Sequence, residues 1–304
     1  MDDMKTVLIT GTTGLVGCRA YEYLHAKTPW NIVGTSRSSG TCVDLAADLT
    51  DISAVEDLGS LCRPDAIIHT AAVSRTDACE KNRELCYATN VATTRNLVEV
   101  FPETRFVYFS TYAVYDTPEG GCSEECETRA ANYYIQTKLL GEDCVQHLSN
   151  AVILRPSVIF GFLDHKQASK NYVMQLLDNI RQGKVTRSPR DQYFNPVWVD
   201  VVVEILRRIL DADVSGIYNV GSNESISKYA FNQLIMDRFE LDPNFLEGID
   251  SVSLDVKRPS MGTISSSKVQ EELGYRVPLL TEMVNALYAT SAGNVARYLA
   301  PRVT

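Results

Sequence analysis

Tyr134-Ile-Gln-Thr-Lys138 sets a phenol and an ammonium four positions apart, a spacing that puts both on one face of a helix. A cation so placed can lower the phenol from its usual pKa of about 10. A tyrosine tuned in this way exchanges protons near neutral pH. The spacing alone also describes a solvent-facing tyrosine and lysine, so the chemical reading draws on what precedes it. Arg105–Ser110 reads as a strand, and Ser110-Thr111 falls at its carboxyl end, the edge of a parallel sheet where ligands lie. Thr111 there can hold a carbonyl or hydroxyl beside Tyr134. Tyr133 is a rival phenol, but its spacing from Lys138 turns it off the shared face.

A second group of residues suits a dinucleotide. The β-branched run Thr6–Thr10 leads into Gly11-Thr-Thr13-Gly14-Leu15-Val16-Gly17 and then an amphipathic stretch, which reads as strand, tight turn and helix start. Gly11 can take the turn's backbone angles, Gly14 lets the main chain approach a pyrophosphate, and Gly17 lets the helix pack close to the strand. The helix N-terminus then faces the anion, with Thr13, Leu15 and Val16 completing the loop. Such glycines also occur in ordinary turns. At the end of the second strand stands Gly34-Thr-Ser36-Arg37-Ser38-Ser39. No carboxylate is present to accept from a ribose, whereas Arg37 with Ser36 and Ser38 offers donors for a 2′-phosphate. This favours NADP(H), with NAD(H) left open and a plain solvated turn as the alternative. Asp48-Leu49 falls where a carboxylate can accept from an adenine amino group, or else simply make a turn.

These groups need a scaffold, and the rest of the sequence supplies one. The 304 residues are 45% hydrophobic and 22% charged, enough for a substantial core. A net charge of −9 argues against nucleic acid or an anionic membrane as partner. The acidic start Met1-Asp-Asp-Met-Lys5 runs straight into the first strand and no apolar run reaches membrane-spanning length, so a cytoplasmic protein is expected. The eight cysteines contain no CxxC pair and read as scattered reduced thiols, with no metal site. Strands are expected at Thr6–Thr10, Asn31–Thr35, Ala66–Thr70, Arg105–Ser110 and Ala151–Arg155, with helices at about 14–27, 53–62, 76–100 and 133–148 between them. Alternation of this kind predicts an α/β fold with a Rossmann-type, doubly wound parallel sheet. Further helices are expected at 169–182, 199–211, 227–239 and 267–273, and Gly216–Gly221 as a strand returning to the sheet. The division is then 1–156 with about 197–222 as the dinucleotide domain, and 157–196 with 223–304 as a smaller, interleaved C-terminal substrate lobe.

The glycine loop, Ser110-Thr111 with Val114-Tyr115, and Tyr134-Ile-Gln-Thr-Lys138 together resemble the extended short-chain dehydrogenase/reductase superfamily, over nearly the whole chain. The resemblance implies a triad in which Tyr134 is the acid/base, Lys138 also binds the nicotinamide ribose, and Thr111 orients the substrate oxygen. It implies that Asn90, in Tyr87-Ala-Thr-Asn90-Val, supports the site, that Ala71 and Ala72 meet the cofactor, and that Ser74 meets substrate. Ile68-His69-Thr70-Ala71-Ala72 departs from relatives that carry Asn before the alanines, which makes His69 structural. The second half is most similar to the dTDP-4-dehydrorhamnose reductase family, through Asp77-Ala-Cys-Glu80, Asn171-Tyr-Val-Met, Asp191-Gln192, Arg258-Pro259 and Ser267-Lys268 with Leu273-Gly274. That likeness implies a nucleotide-sugar substrate with a 4-keto group, and Asn171 and Arg258 near its diphosphate; Arg258 equally suits a structural ion pair. Ser110-Thr111-Tyr112-Ala113 differs from the family's Ser-Thr-Asp-Tyr and is closer to epimerases and dehydratases, so a nucleotide-sugar epimerase or dehydratase stays an alternative. A second alternative is a non-catalytic NADP-binding subunit like the regulatory subunit of methionine adenosyltransferase. A homodimer is left open.

Overall fold

The computed structural model describes residues 4–115, 119–163, 171–212, 214–253 and 261–300. The first half alternates as expected: β1 (Thr6–Thr10), α1 (Leu15–Lys27), β2 (Asn31–Ser36), β3 (Leu45–Ala46), α2 (Ile52–Cys62) and β4 (Ala66–His69). Then come α3 (Thr76–Lys81), α4 (Arg83–Tyr87), α5 (Thr93–Val100), β5 (Arg105–Phe109), α6 (Tyr133–Val145) and β6 (Ala151–Pro156). The second half carries β7 (Ile159–Phe160), α7 (Tyr172–Arg181), β8 (Thr186–Pro189), β9 (Tyr193–Phe194), β10 (Val197–Trp198), α8 (Val199–Asp211) and β11 (Gly216–Val220). It ends with β12 (Ile226–Ser227), α9 (Lys228–Arg238), β13 (Leu246–Ile249), β14 (Met261–Gly262), α10 (Ser267–Leu273) and α11 (Leu280–Leu299).

Seven strands form one sheet in the order β11-β6-β5-β4-β1-β2-β3, every pairing parallel. The chain runs outward from β1 to β3 and then returns to β4 and runs the other way. That reversal leaves a crevice at the carboxyl ends of β1 and β4, where a doubly wound sheet takes its ligand. Helices cover both faces, so the strands must be apolar throughout. Val7 and Ile9 of β1 enter a core cluster with α1 and α8, while Leu8 enters the opposite one with Val55, Leu58 and Leu97.

Four expectations need correction. The helix read at 76–100 is broken at Asn82, whose side chain leaves the helix and accepts from the Leu85 amide to cap α4. It is broken again by a π-helical turn over Ala88–Ala92. The long helix α11 was missed, although Leu280, Met283, Val284, Leu287, Ser291 and Val295 make a buried stripe at helical spacing. Two- to four-residue strands of the second half pair as β7 with β10, β9 with β12 and β14, and β8 with β13; strands so short leave no periodicity to read. Finally, four of the eight cysteines are not separate thiols. They pair as disulfides Cys18–Cys42 and Cys79–Cys86, with Cα atoms 5.6 and 5.1 Å apart. The turn after β2 folds back over α1 to join the first pair, a tertiary contact that spacing does not encode. Among the described residues no helix is long and apolar enough to cross a membrane.

Candidate functional site

Gly11 leaves β1 with φ +71°, and its amide donates to the Thr35 carbonyl at 2.9 Å. A Cβ on Gly11 would stand 2.6 Å from the Ala71 amide nitrogen, so the chain after β1 and the chain after β4 touch backbone to backbone. A Cβ on Gly17 would meet the Gly11 carbonyl oxygen at 2.5 Å, which places the start of α1 directly against the loop. Gly14 is the N-cap of α1 and provides no side chain to its amides, and the first turn carries no acid. Those amide donors are therefore suited to an anion. Thr13 shares a hydrogen bond with Ser36 at 3.1 Å, and Leu15 and Val16 pack into the core.

Beyond β2, Ser36 is half-buried while Arg37 and Ser38 are exposed. A carboxylate does stand near this edge and was overlooked. Asp44 accepts from the Gly34 amide at 2.8 Å and from the Tyr21 hydroxyl at 3.0 Å, so it serves the strand and helix. Asp48 accepts from both the Thr50 amide (3.0 Å) and the Thr50 hydroxyl (2.7 Å), the turn geometry weighed against an adenine contact. These bonds hold its carboxyl below the usual range, with Arg37 adding to the effect. Leu49 is buried, and its carbonyl accepts from Asn96 at 2.9 Å.

On the other side of the crevice Thr111 follows β5 and caps a 3-10 turn over Tyr112–Val114, its hydroxyl oxygen accepting from the Ala113 amide at 3.2 Å. Thr111 also acts on the phenol of Tyr134, which stands on the first turn of α6. Tyr133 turns away as expected, its ring under the Arg83 guanidinium at 4.9 Å and its amide donating to Glu80 at 2.9 Å. Lys138 is 3% exposed, and its ammonium stands 4.2 Å from the centroid of the Tyr108 ring. Burial pushes Lys138 down to about 7, against the pull of Glu142. The lowering of the phenol expected from Lys138 is not found: burial pushes Tyr134 up to about 12, with Thr111 acting in the opposite direction. Tyr134 thus holds its proton at neutral pH and stands as a donor.

A group whose folded pKa lies below its unfolded value binds fewer protons when folded, so stability rises with pH between the two values. For Lys138 that window runs from about 7 to its ordinary 10.5, and the penalty is full below it. Lys138→Met is therefore expected to stabilise the cofactor-free chain by roughly 3 to 5 kcal/mol at pH 6.5, the advantage disappearing by about pH 10.5. Denaturant unfolding at several pH values measures this, and a gap that does not narrow would contradict the shift.

Asn90 lies in the π-helical turn and ties the site together. Its Oδ1 accepts from the Val73 amide at 2.7 Å, and its Nδ2 donates to the Val73 carbonyl at 3.1 Å and to the Thr137 hydroxyl at 3.0 Å. The loop after β4, holding Ala71, Ala72 and Ser74, is thereby fixed to the helix that carries Tyr134 and Lys138. His69 is buried with Nδ1 paired to the Thr10 hydroxyl at 2.7 Å and Nε2 to that of Thr94 at 3.1 Å. Burial, chiefly, and the nearby Lys138 push it down to about 3, as a structural neutral histidine requires.

In the second half Asn171 caps α7, its Oδ1 accepting from the Val173 and Met174 amides at 3.1 and 3.2 Å. Its Nδ2 is buried with no partner among the described residues. Arg258 lies outside the described residues. Three residues beneath the site were not singled out from the sequence, Glu142, Arg155 and Asn219, and Tyr115 beside them was named only as part of the resemblance. Glu142 was within reach, since it continues the four-residue spacing that relates Tyr134 to Lys138.

Comparison with known proteins identifies the family of the chain and the relatives of its fold. The sequence matches the family described as RmlD substrate binding domain over residues 4–292. It is 30% identical over 285 residues to methionine adenosyltransferase 2 subunit beta of Xenopus laevis, covering 90% of this chain and 84% of that one. It is 28% identical to a probable low-salt glycan biosynthesis reductase of Haloferax volcanii, over 92% of this chain and 96% of that one. The fold superposes on dTDP-4-dehydrorhamnose reductase from Bacillus anthracis in complex with NADP, with TM-score 0.83 at 23% identity over 94% of this chain and 99% of that one. A hypothetical dTDP-4-dehydrorhamnose reductase from Sulfolobus tokodaii aligns with TM-score 0.79 at 27% identity, covering 92% and 99% of the two chains. With a glycine loop, a proton-holding tyrosine and a buried lysine gathered on one sheet edge, and a match that spans almost its whole length, the chain belongs to the RmlD substrate binding domain family.

Proposed function

We propose that this protein is an NADPH-dependent reductase of a 4-keto sugar carried on a nucleoside diphosphate. The observation that carries the reading is the meeting, on one edge of the sheet, of Thr111 with the buried Tyr134, the buried Lys138 and the glycine loop. The loop fits a dinucleotide: it has no side chain at Gly11 or Gly17, where a Cβ would collide with backbone, and α1 opens onto it with uncapped amides. Bound NADPH supplies a hydride to the carbonyl carbon of the sugar. Tyr134 then gives its phenolic proton to the carbonyl oxygen as it becomes an alcohol, and Thr111 orients that oxygen. Lys138 offsets the charge left on the phenolate and binds the nicotinamide ribose. Asn171, with its buried amide group directed away from the α7 cap, and Arg258 take the substrate diphosphate. A thermal-shift screen of nucleotide sugars with NADPH, followed by NADPH consumption with the best ligand, tests this. No stabilising sugar and no consumption would overturn it.

Arg37 supports the choice of cofactor. Arg37→Ala is expected to raise the Kd for NADPH about 10- to 100-fold and to leave NADH nearly unaffected, as loss of a charge-assisted contact implies. Nicotinamide fluorescence titrations measure both, and equal weakening would remove Arg37 from the 2′-phosphate.

The similarity to methionine adenosyltransferase 2 subunit beta favours a second reading, a non-catalytic dinucleotide-binding subunit. A stoichiometric partner recovered with the purified chain, together with no turnover of any nucleotide sugar, would establish it in place of the reductase.

A further inference from the structure

Glu142 lies one helical turn beyond Lys138 on α6 and is buried. Arg155, at the carboxyl end of β6, grips it at two points, Nε to Oε1 at 3.0 Å and Nη2 to Oε2 at 2.6 Å. The Ser110 hydroxyl donates to the same Oε1, and Ser110 directly precedes Thr111. Arg155 also donates from Nη1 to the Tyr115 hydroxyl at 2.9 Å, which in turn donates to Asn219 of β11 at 3.0 Å. One carboxylate thus joins the strand end that carries Thr111 to the helix that carries Lys138 and Tyr134. A surface ion pair has little effect of this kind, but here both partners are buried and the carboxylate also holds Ser110, the neighbour of Thr111.

We propose that Glu142 is a positioning residue for the reaction: through Ser110 it fixes where Thr111 stands, and from one helical turn away it sets the surroundings of the Lys138 ammonium. The inference rests on the reductase reading for its effect on turnover, and on the shared face of α6 and the pull of Glu142 for its effect on Lys138. The groups that face Lys138 are His69 from β4, Tyr108 from β5 and Glu142 from its own helix, with Tyr134 one turn before it. His69 and Tyr108 are held neutral by burial and Tyr134 keeps its proton, while the Glu142 side chain is paired with Arg155 at 2.6 Å. Arg155 fixes the carboxylate, and Lys138 responds to the carboxylate.

The test reads the titration of Lys138 directly, from the side-chain carbon resonance of lysine-labelled protein, assigned by its loss in Lys138→Met. Glu142→Gln combined with Arg155→Gln removes both charges and leaves no unpaired one. The Lys138 midpoint is expected to fall by about one pH unit, a tenfold loss of proton affinity, and the pH limb of kcat should move with it. Ser110→Ala, which removes a single hydroxyl, is expected to lower kcat about 5- to 10-fold with KM for sugar and NADPH unchanged and the Lys138 midpoint in place. Glu142→Asp keeps the charge but withdraws from Ser110, so it should reproduce the Ser110→Ala kinetics and retain the midpoint. An unmoved midpoint in the doubly neutral variant, or wild-type kcat in Ser110→Ala, would overturn the proposal. Should the Glu142 variants fail to fold, Ser110→Ala decides alone. The titration needs no turnover, so a wild-type chain inactive on every nucleotide sugar would overturn the reductase reading and leave this result standing.

Discussion

Replacing Tyr134 with phenylalanine is expected to lower kcat by 10²- to 10⁴-fold while leaving the Kd for NADPH within about threefold of wild type. That range corresponds to about 3 to 5 kcal/mol of lost transition-state stabilisation, the scale of a positioned general acid. The structure explains why the effect should be confined to chemistry. The phenol is held up to about 12 and therefore carries its proton into the reaction. Phenylalanine keeps the ring and loses only the donor. Tyr133→Phe is the matched control, because that ring packs under Arg83 on the other side of the helix. Steady-state kinetics on the pair, with NADPH binding followed by fluorescence, measure the difference. A Tyr134→Phe enzyme with unchanged kcat would show that another group delivers the proton.

Gly11→Ala should be the most damaging single-methyl change in the dinucleotide loop. The substitution meets two obstacles, a φ of +71° that disfavours any Cβ, and a backbone nitrogen only 2.6 Å from where that Cβ would stand. The neighbour is the main chain of Ala71, so no side chain can swing aside. The combined cost is of the order of 2–5 kcal/mol, and the two loops must separate at the point where the cofactor would lie. NADPH affinity should fall by at least a hundredfold. Gly121→Ala isolates the backbone-strain part, since Gly121 also has positive φ (+67°) but nothing within 4 Å of the added carbon. Thermal unfolding of the two variants should show a loss at Gly11 clearly larger than the ~1 to 2 kcal/mol expected of backbone strain alone at Gly121. Equal losses would mean that the Ala71 contact yields easily.

Much of this molecule is legible in the residues because its early elements are locally specified. β1 and α1 announce themselves through a β-branched run and three glycines, and the parallel sheet follows from continuous apolar strands separated by helices. Residues Thr111, Tyr134 and Lys138 were readable as types at spacings. Their electrostatics were not, because burial is a tertiary quantity: the sequence suggested an acidified phenol, and the folded chain instead raises the phenol and lowers the ammonium. The cysteine pairs escaped for a related reason, since their partners meet only after helices and loops have packed. The break at Asn82 illustrates the opposite limit, a local side-chain competition that periodicity overlooks. Helix α11 was a different kind of omission, because its stripe from Leu280 to Val295 is fully visible in the sequence.

The late return of β11 to the sheet bears on how the chain can fold. β6 is buried at every position from Ala151 to Pro156, and its outer edge is closed only by Gly216–Val220, after the intervening chain has built β7 to β10, α7 and α8. Until that segment has emerged and docked, β6 presents a flat, charge-poor strand edge of the kind that pairs with other chains. The N-terminal nucleotide-binding half is therefore not a free-standing module: synthesis must run about 60 residues beyond β6 before the sheet is sealed, and a chain cut in between would favour aggregation over folding.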